Sequence, residues 1–184
     1  LLMASGLDYQ EFRPLIFNSD DILTTYYPDQ RKIALENTHI IGPPGQVFHY
    51  NKYHPQLLGM ILERATGMPV TTYLQTRIWD RIGMEYDGSW SIDSTSSDFE
   101  KMETGINARA IDFAKFGMLF LQNGTWQGQP VITKNWVNES TSPLIPADYA
   151  EYYSGWFNSM PGKGYYKYMW WGMQRGDGSY DFSA

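Results

Sequence analysis

A tyrosine with two polar side chains behind it, Tyr50-Asn51-Lys52, stands at the entrance to an amphipathic helical pattern in the segment FHYNKYHPQLLG, Phe48 to Gly59. A phenol held on a loop beside a helix start is placed to take and return a proton, which is general acid–base work. An amide beside it can both donate to and accept from a substrate's polar groups, whereas an ammonium can only donate. A base of this kind needs a nucleophile, and no obvious partner lies nearby in the sequence. Taken alone, Tyr50 also reads as a half-buried strand residue, so its surroundings must decide between the two.

Those surroundings are a set of helices punctuated by turn residues. Ser19-Asp20-Asp21 caps a short helix running towards Tyr26-Tyr27, with Pro28 ending it. Gly42-Pro43-Pro44-Gly45 is a rigid turn that delivers the short extended piece Val47-Phe48-His49-Tyr50. Pro55 suits the first turn of a helix; Leu57, Leu58, Ile61, Leu62 and Ala65 then form one apolar face, closed by Gly67. Pro69 opens a second helix whose predicted buried stripe is Tyr73, Leu74, Ile78, Trp79 and Ile82, stopped by Gly83. A third spans roughly 108–122, with Ile111, Phe113, Ala114, Gly117, Phe120 and Leu121 expected inward and Asn123-Gly124 as its cap. Thr133 is expected to cap a short helix through Trp136 and Val137 that Pro143 ends.

After Gly162 the period becomes alternating, with Tyr166, Tyr168 and Trp170 facing one way and Lys167, Met169 and Trp171 the other. Gly176-Asp177-Gly178-Ser179 is a turn, and the chain from Tyr180 returns as a partner strand. Helices first and an antiparallel hairpin last predict an α+β fold. The division expected is a mostly helical region over 1–160 and the start of an antiparallel sheet region over 161–184, together one incomplete domain. Both chain ends read as the interior of a domain.

Composition narrows the functions. The chain has 184 residues, 42% apolar and 18% charged, the profile of a globular domain with a real core. A formal charge of −6 argues against nucleic acid as a partner, because phosphate binding needs clustered Lys and Arg. No run approaches the roughly 18 apolar residues of a membrane span. The absence of cysteine excludes disulfides and thiolate metal sites. His39, His49 and His54 lack metal-site spacing, so no metal or other cofactor is expected. The high aromatic content, 16%, suits a lined cleft; Trp90, and one of Trp170 and Trp171, are the candidates for a pocket wall. Glu100 and Glu103 form a conceivable acid pair, but Glu100 reads better as a solvated loop residue and Glu103, beside Thr104-Gly105, as one that orders its loop.

Several segments in order resemble the serine hydrolases of the class C β-lactamase, penicillin-binding-protein and carboxylesterase family. They are Leu1-Leu2 with Ser5-Gly6-Leu7, Pro44-Gly45-x-x-Phe48-x-Tyr50, Leu57 to Gly67, Ile82-Gly83-Met84, Ala110-x-Asp112 to Gly117, Asn123-Gly124-x-Trp126-x-Gly128, and Trp136-Val137. They cover nearly the whole chain. The family carries a Ser-x-x-Lys, a Tyr-x-Asn and a Lys-Thr-Gly or His-x-Gly strand. Tyr50-Asn51-Lys52 lies where the second belongs; no serine is followed by Lys three places on, and Lys163-Gly164 reads as a loop rather than the third.

The resemblance thus implies the helical part of a β-lactamase/transpeptidase-like fold and an internal fragment keeping one catalytic element of three, with the nucleophile outside the chain. It implies a parent protein that hydrolyses esters or amides, β-lactams included, through an acyl-enzyme, with Tyr50 as general base and Asn51, Lys52 and Trp90 at the substrate. Lys52 departs from the family's usual amide. Either it points into the cleft, or it turns to solvent and Asn51 supplies the amide. The alternative function is a non-catalytic fragment or pseudoenzyme that binds or packs. The resemblance implies a periplasmic or secreted setting. An aromatic, unpaired edge over Tyr165–Met173 is expected to favour self-association.

Overall fold

The computed structural model describes residues 2–11, 19–142, 155, 158–159 and 161–183. Two compact units share the chain: a helical unit, Tyr9–Thr38 with Lys52–Lys134, and a sheet unit, Leu1–Asp8 with His39–Asn51 and Asn135–Ala184. Pro143 lies outside the described residues, so its role as a helix stop is not part of the structure.

In the helical unit, α1 (Asp20–Tyr26) begins where the Ser19 hydroxyl accepts from the Ile22 N–H, with two acidic residues in its first turn facing the positive end of the helix dipole. Asp29 caps α2 (Gln30–Glu36) in the same way, accepting from Lys32 N–H at 2.9 Å. The helix α3 (Tyr53–Thr66) carries Pro55 in its first turn and ends at Gly67, whose φ of 69° is the left-handed cap that glycine adopts without steric cost. Its buried side is not the apolar stripe expected. Ile61 and Ala65 face solvent, and the buried residues are Tyr53, His54, Pro55, Gln56 and Gly59. The reason is hydrogen bonding: Tyr53 and Gln56 find partners on α1 and α2, which makes the polar face the packed one.

The helix α4 (Val70–Leu74) passes directly into a π-helical turn at Gln75–Trp79, with Asp80 N–H donating to Gln75 O at 3.0 Å. The apolar pairs Tyr73-Leu74 and Ile78-Trp79 are five residues apart, and the wider turn keeps such a spacing on one side. Glu100 is no solvated loop residue. It is 3% exposed and its Oε1 accepts from Thr71 N–H at 2.8 Å and Thr71 Oγ1 at 2.6 Å, serving the first turn of α4. The loop that holds it is braced by β1 (Ser89–Trp90) paired antiparallel with β2 (Ile106–Asn107).

In α5 (Ala110–Leu121) the buried residues are Asp112, Leu119 and Phe120, while Ile111, Phe113 and Leu121 are exposed, against the expected face. Asp112 turns the helix, because its carboxylate accepts from the Glu85 N–H at 2.6 Å. The helix ends in a Schellman-type closure, with Gly124 N–H to Leu119 O at 2.8 Å and Asn123 N–H to Phe120 O at 3.0 Å. A two-residue ribbon, β3 (Thr125–Trp126) with β4 (Gln129–Pro130), follows.

The sheet unit contains α6 (Lys134–Thr141), all but its first residue, and an antiparallel sheet of β5 (Lys163–Lys167), β6 (Trp170–Gln174) and β7 (Tyr180–Ser183) in that order. The unbroken alternation expected across Tyr166–Trp171 is interrupted. Tyr168 and Met169 take φ of 49° and 74° and form a two-residue hairpin loop, so Tyr166 pairs across from Trp171 and both join one cluster. Lys163, expected in a loop, opens β5. The central strand β6 is paired on both sides, which leaves the outer sides of β5 and β7 as the edges among the described strands.

Tyr165 is fully buried and its hydroxyl donates to Thr141 O at 2.6 Å, tying β5 to α6. Across from it, Gly172 leaves room for that ring: a Cβ there would lie 2.0 Å from Tyr165 Cζ. Gly172→Ala is therefore expected to lower stability by roughly 1–3 kcal/mol through overpacking, read as a lower denaturant midpoint. An unchanged midpoint would show that this ring can move.

Candidate active site

Tyr50 belongs to the sheet unit, where the extended segment before it is laced to the N-terminal stretch. His49 N–H donates to Met3 O and Gly45 N–H to Ala4 O, each at 2.6 Å. Phe48 is wholly buried with Met3 and Tyr166, and Tyr50 packs on the margin of that cluster. Its ring stands edge-on to Tyr166, centroids 5.9 Å apart at 90°, and 5.3 Å from Trp171. These contacts pin the phenol's ring while leaving it half-buried. The neighbouring Tyr166 hydroxyl donates to Met169 Sδ at 3.1 Å. Burial, then the negative charge Tyr50 would bear on ionising, hold the Tyr166 phenol protonated well above the ordinary tyrosine range. Asn51 is fully buried.

The unit boundary falls between Asn51 and Lys52. Lys52, at the N-terminal cap position of α3, makes an ion pair with Asp21 in the first turn of α1, and its Nζ lies 3.5 Å from Thr25 Oγ1. Both side chains of this pair keep substantial solvent exposure, so it contributes at most about 1 kcal/mol. Lys52 and Lys101 are also the cations that face the carboxyl of Glu103, whose pKa is raised above the usual carboxylate value, first by burial. Trp90 is fixed through its indole N–H, which donates to Lys101 O at 3.0 Å and Thr104 O at 3.1 Å. Its ring lines a recess of about 320 Å³ together with Trp79, Leu74, Gln75, Asp87 and Ser89. Among the described residues no group of His, Cys, Asp or Glu is arranged to hold a metal ion.

The candidates named from sequence thus divide by unit: Tyr50 with Asn51 in one, Lys52 and Trp90 in the other. Sequence reading missed the buried amides Gln30 and Gln56, the anchor Asp112 and the pairing of Tyr53 with Asp20. The local signal for Tyr53 and Gln56 is the spacing Tyr53-x-x-Gln56-x-x-Gly59, which lays polar and small residues along one helical stripe.

Comparison with known proteins agrees with this architecture. Residues 1–180 match the Beta-lactamase family, and the chain belongs to it. A curated relative, the 6-aminohexanoate-dimer hydrolase of Paenarthrobacter ureafaciens, is 28% identical over 132 residues, which is 71% of this chain and 32% of that protein. A solved structure given the same assignment, from Bacillus anthracis, superposes with a TM-score of 0.69 at 23% identity, covering 97% of this chain and 47% of that one. A penicillin-binding protein from Bacillus halodurans superposes with a TM-score of 0.64 at 17% identity, covering 97% and 56%. At these identities the structural likenesses establish a shared fold. The chain spans about half the length of the structures it resembles and a third of the curated relative. Among the described residues no helix is long and apolar enough to cross a membrane.

Two phenols give a pH test of the packing. Tyr9, 3% exposed, and Tyr166 both have pKa values raised above the ordinary value of about 10, chiefly by burial. The folded state therefore holds protons that the unfolded chain releases near pH ~10, and stability must fall as pH rises past that value. Ultraviolet titration should show these tyrosines ionising only together with loss of near-ultraviolet circular dichroism. Complete tyrosinate formation in a chain that keeps its tertiary signal would contradict the packing.

Proposed function

We propose that the protein to which this chain belongs is a serine hydrolase of esters or amides that works through an acyl-enzyme, with Tyr50 as its general base. The observation that carries this reading is the tyrosine of the Phe48-x-Tyr50 segment held by Tyr166 and Trp171 in a chain of the Beta-lactamase family. In this reading a serine supplied elsewhere in the protein attacks the acyl carbon as its hydroxyl proton passes to the oxygen of Tyr50 in its phenolate form. The carbon–oxygen or carbon–nitrogen bond then breaks, the leaving group takes the proton, and water releases the acyl group. Asn51, Lys52 and Trp90 are proposed to contact the substrate, Lys52 by donating to an acyl oxygen once released from Asp21. The name of the curated relative makes short aminohexanoate amides the first substrates to test, beside a chromogenic ester and a chromogenic cephalosporin. Self-association through the edges of β5 and β7 is a further part of the proposal.

In the full-length protein, Tyr50→Phe should lower kcat by about 10²–10⁴ with a smaller change in KM. Wild-type turnover by that variant would remove Tyr50 from the chemistry, and absence of turnover in the parent itself would favour the non-catalytic module. Lys52→Asn should change kcat/KM for the amide substrate; identical steady-state constants would place Lys52 outside the substrate site.

A further inference from the structure

The carboxyl group of Glu103 sits against α3 with both oxygens inaccessible to solvent and with no hydrogen-bond partner among the described residues. The cations that face it are committed elsewhere. Lys52 pairs with Asp21, and Lys101 Nζ donates to Thr25 O at 2.8 Å. Its other polar neighbours are its own backbone N–H and the Gln56 side chain, whose Oε1 is equally buried and unpartnered.

What Gln56 can offer Glu103 follows from a short series of hydrogen bonds. Gln30 must direct its Nε2 at the carbonyls of Leu23, 3.2 Å, and Tyr27, 2.8 Å, since these accept only. Its Oε1 is therefore turned to Gln56. Gln56 must then present Nε2, and that group's two protons go to Gln30 Oε1 and to Thr24 O at 3.1 Å. Rotating the Gln56 amide would set its oxygen against two acceptors. Both amide protons are thus spent, and Gln56 has only an acceptor left.

We infer that the Glu103 carboxyl group, in its protonated form, donates its proton to Gln56 Oε1, ending an amide relay that runs Gln30, Gln56, Glu103. One proton satisfies two buried groups that an ionised carboxylate would leave facing each other unpaired. The relay fastens the loop at 101–105 to α3. The same loop is clamped by Met102, whose Cγ lies where a Cβ at residue 59 would stand, so Gly59 is the notch that admits it. The fastening is pH-sensitive. Burial raises the folded-state pKa of Glu103 above its unfolded value, so the folded chain binds the extra proton in the interval between them. The contribution of this group is complete below the unfolded value, about 4.3, and is lost as pH rises through the folded one.

The direct test is the carboxyl-carbon resonance of Glu103 in this chain across the pH range. It should titrate above the other glutamates; titration alongside them overturns the inference. Denaturant unfolding of variants supplies the second arm. Glu103→Gln donates to Gln56 Oε1 without titrating, so it should keep the wild-type midpoint at low pH and lose part of the decline seen as pH rises. Glu103→Ala should have a lower midpoint at every pH, because Gln56 Oε1 stays unpartnered. A Glu103→Gln protein as unstable as Glu103→Ala at low pH would also overturn the inference, and the resonance of the unaltered chain decides the matter should either variant fail to fold.

Discussion

The helical unit depends on one requirement: polar groups packed between α1, α2 and α3 must find partners once water is excluded. Gln30 and Gln56 are both fully buried, and together with Thr24 they tie the three helices through side-chain to backbone hydrogen bonds. Tyr53 adds an edge contact to Tyr9 and a hydrogen bond to Asp20 at 3.0 Å, and Asp20 in turn accepts from Gln10 N–H at 2.7 Å. Apolar packing from Ile33 and Ala34 fills the space around them. Such contacts are directional, so they set the rotation of α3 about its axis more sharply than a greasy stripe would. That rotation fixes where Lys52, at the cap position, meets α1.

The sheet unit solves a different problem with aromatic rings. Tyr166, Trp171, Phe48 and Tyr50 meet edge-to-face or tilted, the arrangements that ring quadrupoles favour. Their register comes from the tight loop at Tyr168-Met169, two non-glycine residues at positive φ. The loop's conformational cost is offset on one side by Tyr168, which stacks on Trp136 and donates to Glu139, and on the other by Met169 in the cluster. The backbone here is held by its side chains, the reverse of a glycine turn. Tyr50 takes its place from the same cluster, which is why a phenol at the end of a loop is held in one orientation.

Much of the fold could be read from local chemistry. Ser19, Gly67 and Asn123-Gly124 mark their helix ends because capping is a matter of a few consecutive residues. The ordered family segments were likewise visible, and with them the α+β architecture and membership of the Beta-lactamase family. Burial was less legible. Ile61, Ile111 and Phe113 are apolar and periodic yet exposed, while Gln56, Glu100 and Asp112 are polar and inside. Periodicity identifies a face, but partners on other elements, Gln30, Thr71 and Glu85, decide which face is packed. The hairpin at Tyr168-Met169 was hidden because neither residue is a turn former.

Residue order alone determined where α1 starts and where α3 and α5 stop, and that Tyr50, Asn51 and Lys52 stand together at one helix entrance, because these follow from neighbours within a turn or two. Only the tertiary structure decided which company each keeps. Tyr50 is placed by rings brought from more than a hundred residues away, Lys52 by a carboxylate on α1, and Trp90 by the carbonyls of its own loop. The difference is physical: capping and turns act through the backbone at short range, whereas the partner of a buried amide, ring or charge is chosen by packing.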